Sequence, residues 1–238
     1  DNGEILANIR NVHYILYHDE FEQNFQCKWG ILSYLNPEDD IKLRTYNYFC
    51  KLDPDTLEIL SSTEIDTSKK DIEPVWEFIG LEDVRLFRWE GQLYASGVRR
   101  DVKENGEGRI ELCKLDTKDN KVLEVTRDRV EVTPHTHLEK NWMPILDMPF
   151  HFVRWCNPLE IIKVNPKNKF IKKVTKGRID VIDSEVVHRD DTPLNLPLGL
   201  RGSSQVIPFG DNGDRICVTH ETHFYYHQNK KKDAQYYH

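Results

Sequence analysis

The stretch "ELCKLDTKDNKVLEV", residues 111–125, decides the reading of the fold. Apolar and polar residues alternate on both sides of Lys118-Asp119-Asn120, and alternation with period two marks a strand with one buried face. Asp and Asn favour the tight turns that join antiparallel strands, so the stretch predicts a β-hairpin. It has an echo earlier in the chain, "YFCKLDPDTLEIL" at 48–60, and the cysteines of the shared "CKLD", Cys50 and Cys113, lie 63 positions apart.

The same alternation runs through "EILANIRNVHYIL" (4–16), "VRLFRW" (84–89), "QLYASGV" (92–98), "VLEVTRDRVEV" (122–132) and "DRICVTHETHFYY" (214–226). Turn signals separate these runs at Asp53-Pro54-Asp55, Glu90-Gly91, Asn157-Pro158 and 211–214. No stretch reads as an amphipathic helix longer than about two turns, so the fold class is all-β. A second echo, "LFRWEGQLY" (86–94) and "HFVRWCNPLEI" (151–161), places Trp89 and Trp155 66 positions apart. A unit of about 65 residues exceeds the ~40–50 of common propeller repeats, yet it holds one four-stranded antiparallel blade with long loops. The expectation is a single β-propeller domain over residues 1–238; a β-sandwich with similar hairpins is the alternative. Only about three to four such units fit, against about four to eight blades in most propellers, so the ring is expected to be small or incomplete.

The composition, 38% hydrophobic and 31% charged over 238 residues, is that of a folded chain. No apolar run approaches the roughly 18–20 residues of a membrane span, and "DNGEILANIR" lacks the pattern of a signal peptide, so a cytoplasmic protein without membrane partners is expected. A formal charge of -7 argues against nucleic acid as partner. The basic stretches "KNKFIKKVTKGR" (167–178) and "NKKKD" (229–233) read as solvated turns. Five cysteines occur singly, without a C-x-x-C pair, which predicts reduced thiols. His220, Glu221 and His223 form H-E-T-H rather than the H-E-x-x-H of a zinc helix, so no metal is expected, even with His227 nearby. Neither a G-x-S-x-G elbow nor a Gly-rich phosphate loop is present.

In a propeller the inner strands line a central channel, so polar groups at their ends converge although they are distant in sequence. Four stretches qualify: "NIRNVHY" (8–14), "GLEDVRLF" (80–87), "EKNWMP" (139–144) and "LRGSSQVIPF" (200–209) leading into "ICVTHETHF" (216–224). Asn8, Arg10 and Asn11 are more polar groups than a buried face tolerates without partners. Neighbours on a strand face opposite sides, so Glu82 should point away from Asp83, and Asp83 should share a face with Arg85. A structural Asp83–Arg85 ion pair is therefore the plain reading of the charge.

Together these stretches resemble glycoside hydrolase family 130, the β-mannoside phosphorylases and their relatives, which are five-bladed propellers. Glu82-Asp83-Val84-Arg85 with "LFRWEGQLYASGV" is similar to the family's Glu-Asp-Pro-Arg strand and hairpin, although Val84 stands at its Pro. "EKNWMPIL" resembles the Lys-Asn segment, "FHFVRWCNPLEII" the Trp-containing strand that follows it, and "RGSSQVIPF" with "DRICVTHE" the late strand ending in His. A closer likeness is to family-130-like domains attached to glycosyltransferases, whose motifs imply a chain cut short at both ends. The resemblance implies inverting phosphorolysis, or mannosyl transfer, on a β-mannoside-type bond. It makes Asp83 the general acid and Arg10, Lys140 and His220 the phosphate site; Asn8, Asn141 and Arg201 are further candidate binding residues, and Trp142 is the expected sugar contact because it directly follows Lys140-Asn141. An oligosaccharide or glycoside is then the partner, with inorganic phosphate as co-substrate and no other cofactor. A glycan-binding propeller without catalysis, accessory to a glycosyltransferase, is the alternative.

Overall fold

A computed structural model describes residues 3–16, 24–27, 30–34, 42–192, 195–197, 199–226 and 232–237. Every helix or strand among them is a strand, and none of the described residues forms a helix able to cross a membrane. The first group comprises β1 (Ile5–Val12), β2 (Tyr14–Leu16), β3 (Asn24–Cys27), β4 (Gly30–Tyr34), β5 (Leu43–Leu52), β6 (Ile59–Asp66) and β7 (Phe78–Ile79). Here β1, β5 and β6 pair antiparallel, β7 joins β5 in parallel, and β2, β4 and β3 make a small separate sheet. Then β8 (Leu81–Trp89), β9 (Gln92–Arg99), β10 (Arg109–Lys118) and β11 (Lys121–Glu131) form a four-stranded antiparallel meander. A second meander follows in β12 (Met143–Pro144), β13 (His151–Cys156), β14 (Leu159–Val174) and β15 (Gly177–Asp190). The last group holds β16 (Arg201–Gly202), β17 (Ile207–Phe209), β18 (Asp214–Ile216), β19 (Thr219–Tyr226) and β20 (Lys232–Tyr237). In it β16, β19 and β20 form one sheet and β17 with β18 a hairpin.

The first three groups are joined through β6, β11 and β15. β11 runs parallel to β6 at Val122 and Leu123 and parallel to β15 from Asp128 to Glu131, which makes one mixed sheet of twelve strands. The turns follow the expected chemistry. Glu90-Gly91 (φ 51° and 77°) and Asp119-Asn120 (φ 52° and 59°) take the left-handed pairs that two-residue hairpins need. Asp53 Oδ1 accepts the N–H groups of Asp55 and Thr56.

The two sequence echoes fare differently. Cys50 and Cys113 lie buried in β5 and β10, each the strand before the one that joins its group to the next, so "CKLD" marks a structural repeat. Trp89 ends the first strand of its meander and Trp155 sits in the second strand of the next, so that likeness is local. Burial explains the difference: Trp89 is 1% exposed and donates from Nε1 to the Ile145 carbonyl at 2.8 Å, whereas Trp155 is half-buried beneath two arginines.

Residues 167–178 are not the expected turn. They form the exposed ends of β14 and β15, and Lys169, Lys172 and Lys176 pair with Asp128, Glu131 and Glu73. His227 and residues 229–231 of the other basic stretch lie outside the described residues.

Packing rests on apolar clusters between the groups, chiefly Phe87, Trp89, Trp142, Phe152, Ile162 and Ile182. A buried charge network is inserted beside this core. Arg154 bonds Glu139 Oε1 at 2.7 Å and Glu160 Oε1 at 2.8 Å, and Glu139 also accepts from Thr136 N and Trp142 Nε1. Burial opposes ionisation of Glu139, but the bonds from Arg154 and Thr136 outweigh it and hold the carboxyl below its ordinary range. A depressed carboxyl contributes stability that is present above the unfolded-state value and lost as pH falls through the folded one. Glu139→Gln is therefore expected to flatten the acid limb of stability below about pH 4.5, and Glu139→Ala to cost about 3–5 kcal/mol by breaking a buried pair and leaving Arg154 with Glu160 as its one carboxylate partner. Urea denaturation at several pH values checks both; an unchanged acid limb in Glu139→Gln would overturn the assignment.

Candidate functional site

The charged opening of β8 is a β-bulge. Its pairing with β9 slips between Glu82 and Arg85, and Asp83 adopts φ 54°. An extra residue in one strand resets the alternation of faces. Gly97 on β9 makes room for this, since a Cβ there would lie 2.7 Å from the Glu82 carbonyl oxygen. Both carboxylates consequently reach one cation: Arg10 Nη1 donates to Asp83 Oδ1 at 2.7 Å, and Arg10 Nη2 lies 3.8 Å from Glu82 Oε2. This corrects two expectations. Glu82 does not turn away from Asp83, and Asp83 pairs with Arg10 on β1 rather than with Arg85.

Arg85 instead bonds three backbone carbonyls. Nη1 donates to Trp142 O at 2.8 Å, Nη2 to Gly202 O at 2.7 Å and Nε to Ser203 O at 3.3 Å. Gln205 Nε2 adds a bond to the Leu86 carbonyl at 2.8 Å. Gly202 is needed at this junction because a Cβ would sit 2.3 Å from Met143 Cγ and 2.5 Å from the Asn141 carbonyl oxygen. Thus β1, the start of β8, the segment 141–142 and the segment 202–205 meet.

Burial and the neighbouring cations act on Glu82 in opposite directions. Burial lifts the Glu82 carboxyl above its ordinary range; Arg10, Arg100 and Lys140 pull it down, and Asp83 pushes it further up. Glu82 Oε1 is buried without a hydrogen-bond partner. Tyr14 on β2 completes the surroundings, its phenol kept protonated first by burial and then by the charge of Glu82. Asp83 is the more open of the two acids, with 45% of its side chain exposed against 18% for Glu82.

The other expected residues divide into two sets. Asn8 donates to Asn47 Oδ1 at 3.0 Å and lines a cavity of about 180 Å³ with Val84, Arg85, Ser203, Ser204 and Gln205. Its own Oδ1 is buried without a partner. Lys140 is exposed and its charge acts on Glu82. Asn141 holds φ 64° at the turn beneath Gly202. His220 contacts Ser203 Oγ through Nδ1 at 2.7 Å, and so joins the cluster through the residue that Arg85 also holds. Arg201 is the cross-strand partner of His220, but its guanidinium lies over the Trp155 ring at 5.0 Å. Trp142 is a correction: it is 1% exposed, in the core, with Nε1 bonded to Glu139, so its ring offers no face to a sugar.

Sequence reasoning missed Glu82, Tyr14 and Ser203 as members of the site. Glu82 was misplaced by strict alternation, and only the left-handed Asp83 reveals the bulge. Tyr14 reads as an ordinary apolar strand residue, and Ser203 carries no signal beyond its place in "RGSS".

No family model, curated protein or solved structure matches this chain.

Removing the Arg85 guanidinium while keeping its stem leaves three carbonyls without their donor, and an unsatisfied buried acceptor costs about 1–3 kcal/mol. Arg85→Met is expected to lower stability by at least about 2 kcal/mol and to raise proteolytic cleavage between residues 191 and 205 first. Denaturant titration with limited proteolysis reads this out; a stability change within ±0.5 kcal/mol, the range of an ordinary surface substitution, would show that the clamp is not structural.

Proposed function

We propose that the chain is a carbohydrate-active protein of the family-130 type, its strand groups serving as propeller blades and its charged cluster acting on a β-mannoside-type bond. The observation that carries this reading is the bulge at Glu82-Asp83, which sets two carboxylates on the guanidinium of Arg10 with the charge of Lys140 close by. Asp83, the exposed member, is the general acid. Phosphate bound through Arg10, Lys140 and His220 attacks the anomeric carbon from the opposite face as the glycosidic C–O bond breaks, and the acid's proton goes to the leaving oxygen.

The ion pair within the cluster gives this chemistry an order. A phosphate dianion that takes Arg10 withdraws the cation from Asp83 and frees its carboxyl to face the leaving oxygen. Acceptor binding would therefore arm the acid. Glu82 keeps a proton-favouring environment behind it and steadies Arg10. Asn8 Oδ1, which lacks a donor, and the hydroxyls of Ser203 and Ser204 line the adjoining cavity and suit sugar hydroxyls.

A second reading is glycan binding without turnover, as in a module that serves a glycosyltransferase. The specific observation in its favour is the direct 2.7 Å bond between Arg10 and Asp83, which already satisfies the cation. Incubation with β-1,2- and β-1,4-mannobiosides, with and without inorganic phosphate, separates the two. Phosphate-dependent release of mannose 1-phosphate, lost by about 10²-fold or more in Asp83→Asn, is the expected result for an essential acid. Glu82→Gln is expected to shift the pH profile of turnover while retaining activity. Sugar binding with no release in either condition would favour the module, and neither binding nor release would overturn both.

A further inference from the structure

A second charged cavity, of about 220 Å³, lies where β9, β10 and β11 meet the start of β15 and the segment 69–72, and it shares no residue with the Arg10 cluster. Six cations line it: Lys69, Lys70, Arg99, Arg127, Arg129 and Arg178. Three acids accompany them, Asp71, Glu111 and Asp180, and two more stand behind, Asp101 on Arg99 and Glu124 on Arg127, so the surplus of cations rests with Lys69, Lys70 and Arg178. The acids are largely committed already. Asp71 pairs with Arg99 at 3.6 Å and Arg127 at 3.1 Å, Glu111 with Arg129 at 3.4 Å, and Asp180 with Lys169 at 3.1 Å.

What remains is donor capacity. Lys69, Lys70 and Arg178 have no carboxylate within ion-pair distance among the described residues. Arg129, 1% exposed, holds its Nη groups on Arg99 O, Glu107 O and Glu111, yet its Nε has no acceptor. A buried guanidinium N–H without a partner leaves unmet hydrogen bonding that an anionic oxygen relieves. Burial lifts the Glu111 carboxyl above its ordinary range, against the pull of Arg99 and Arg129.

We propose that this cavity binds a small phosphoryl anion, either inorganic phosphate or the phosphoryl end of a sugar phosphate. A dianion matches the surplus of cations, and forked guanidinium donors suit tetrahedral oxyanions. The volume is below the ~300–1,000 Å³ of sites that enclose whole drug-sized ligands, so a larger ligand would insert only its phosphoryl group. The proposal stands independently of the glycosidase reading, because none of its residues belongs to that cluster.

The test must silence the Arg10 cluster first. Calorimetric titration of an Arg10→Ala chain with inorganic phosphate and, separately, with glucose 6-phosphate, at constant ionic strength, reads the second cavity alone. Saturable binding of one or both anions is expected, with the tighter one identifying the source. Adding Lys70→Glu and Arg178→Glu, both outside the packed core, is expected to weaken that binding by about tenfold or more through lost charge-assisted contacts. Circular dichroism and a thermal melt establish that the triple variant folds. Absence of saturable binding of either anion to the Arg10→Ala chain, or equal affinity in the triple variant, overturns the proposal. Failure of mannobioside phosphorolysis with this binding intact would count only against the glycosidase reading.

Discussion

Three hydrogen bonds from Arg85, to the carbonyls of Trp142, Gly202 and Ser203, hold the point on which the arrangement of strand groups depends. The acceptors belong to segments some 57 to 118 positions away in sequence, so closing these contacts fixes long loops at once. A guanidinium presents its donors in a rigid planar fork, and a lysine at this place could not meet three carbonyls in the same fixed geometry. Burial draws the Arg85 guanidinium away from water, and its three acceptors offset part of that penalty. The same commitment removes Arg85 from Asp83, and the Asp83 carboxylate is thereby left to Arg10 and to whatever ligand the site accepts.

Charge inside the sheets is a second theme. Arg109, Glu111, Glu124, Arg127, Arg129, Glu139, Arg154 and Glu160 are all nearly or fully buried, and two of their pairings, Glu111–Arg129 and Arg154–Glu160, tie adjacent strands together. Such pairs add little net stability over apolar residues of equal size, but breaking one is costly. They act on register instead. A one-residue slip of β10 against β11 would separate Glu111 from Arg129 and expose apolar neighbours at the same time. The 31% charged composition is thus compatible with a chain whose strands pack on both faces.

Much of this was legible in the sequence, for identifiable reasons. Period-two runs located β1, β8, β9, β10, β11 and β19, and the Asp119-Asn120 and Glu90-Gly91 turns fell where the left-handed backbone occurs. The "CKLD" echo found a true repeat because a cysteine buried on one face of a strand is a local requirement that both copies meet. Asn8 and Arg10 stand out as excess polarity on an apolar strand, Asp83 and Lys140 enter only through the resemblance, and the four lie near one another in the fold. Trp142 was misjudged since an aromatic beside polar residues looks the same whether it faces a cleft or the core, and only the partners of its Nε1 tell.

Local physical chemistry, then, was written in the chain: which residues form strands, where hairpins turn, and which polar groups have no place in an ordinary core. What tertiary structure alone decided was pairing. Alternation treats a strand as regular, and a bulge accommodated by Gly97 put Glu82 and Asp83 on one guanidinium that alternation would have kept apart. That these two carboxylates meet Arg10 depends on contacts across 72 and 73 positions, and no local rule of backbone or side chain carries that information.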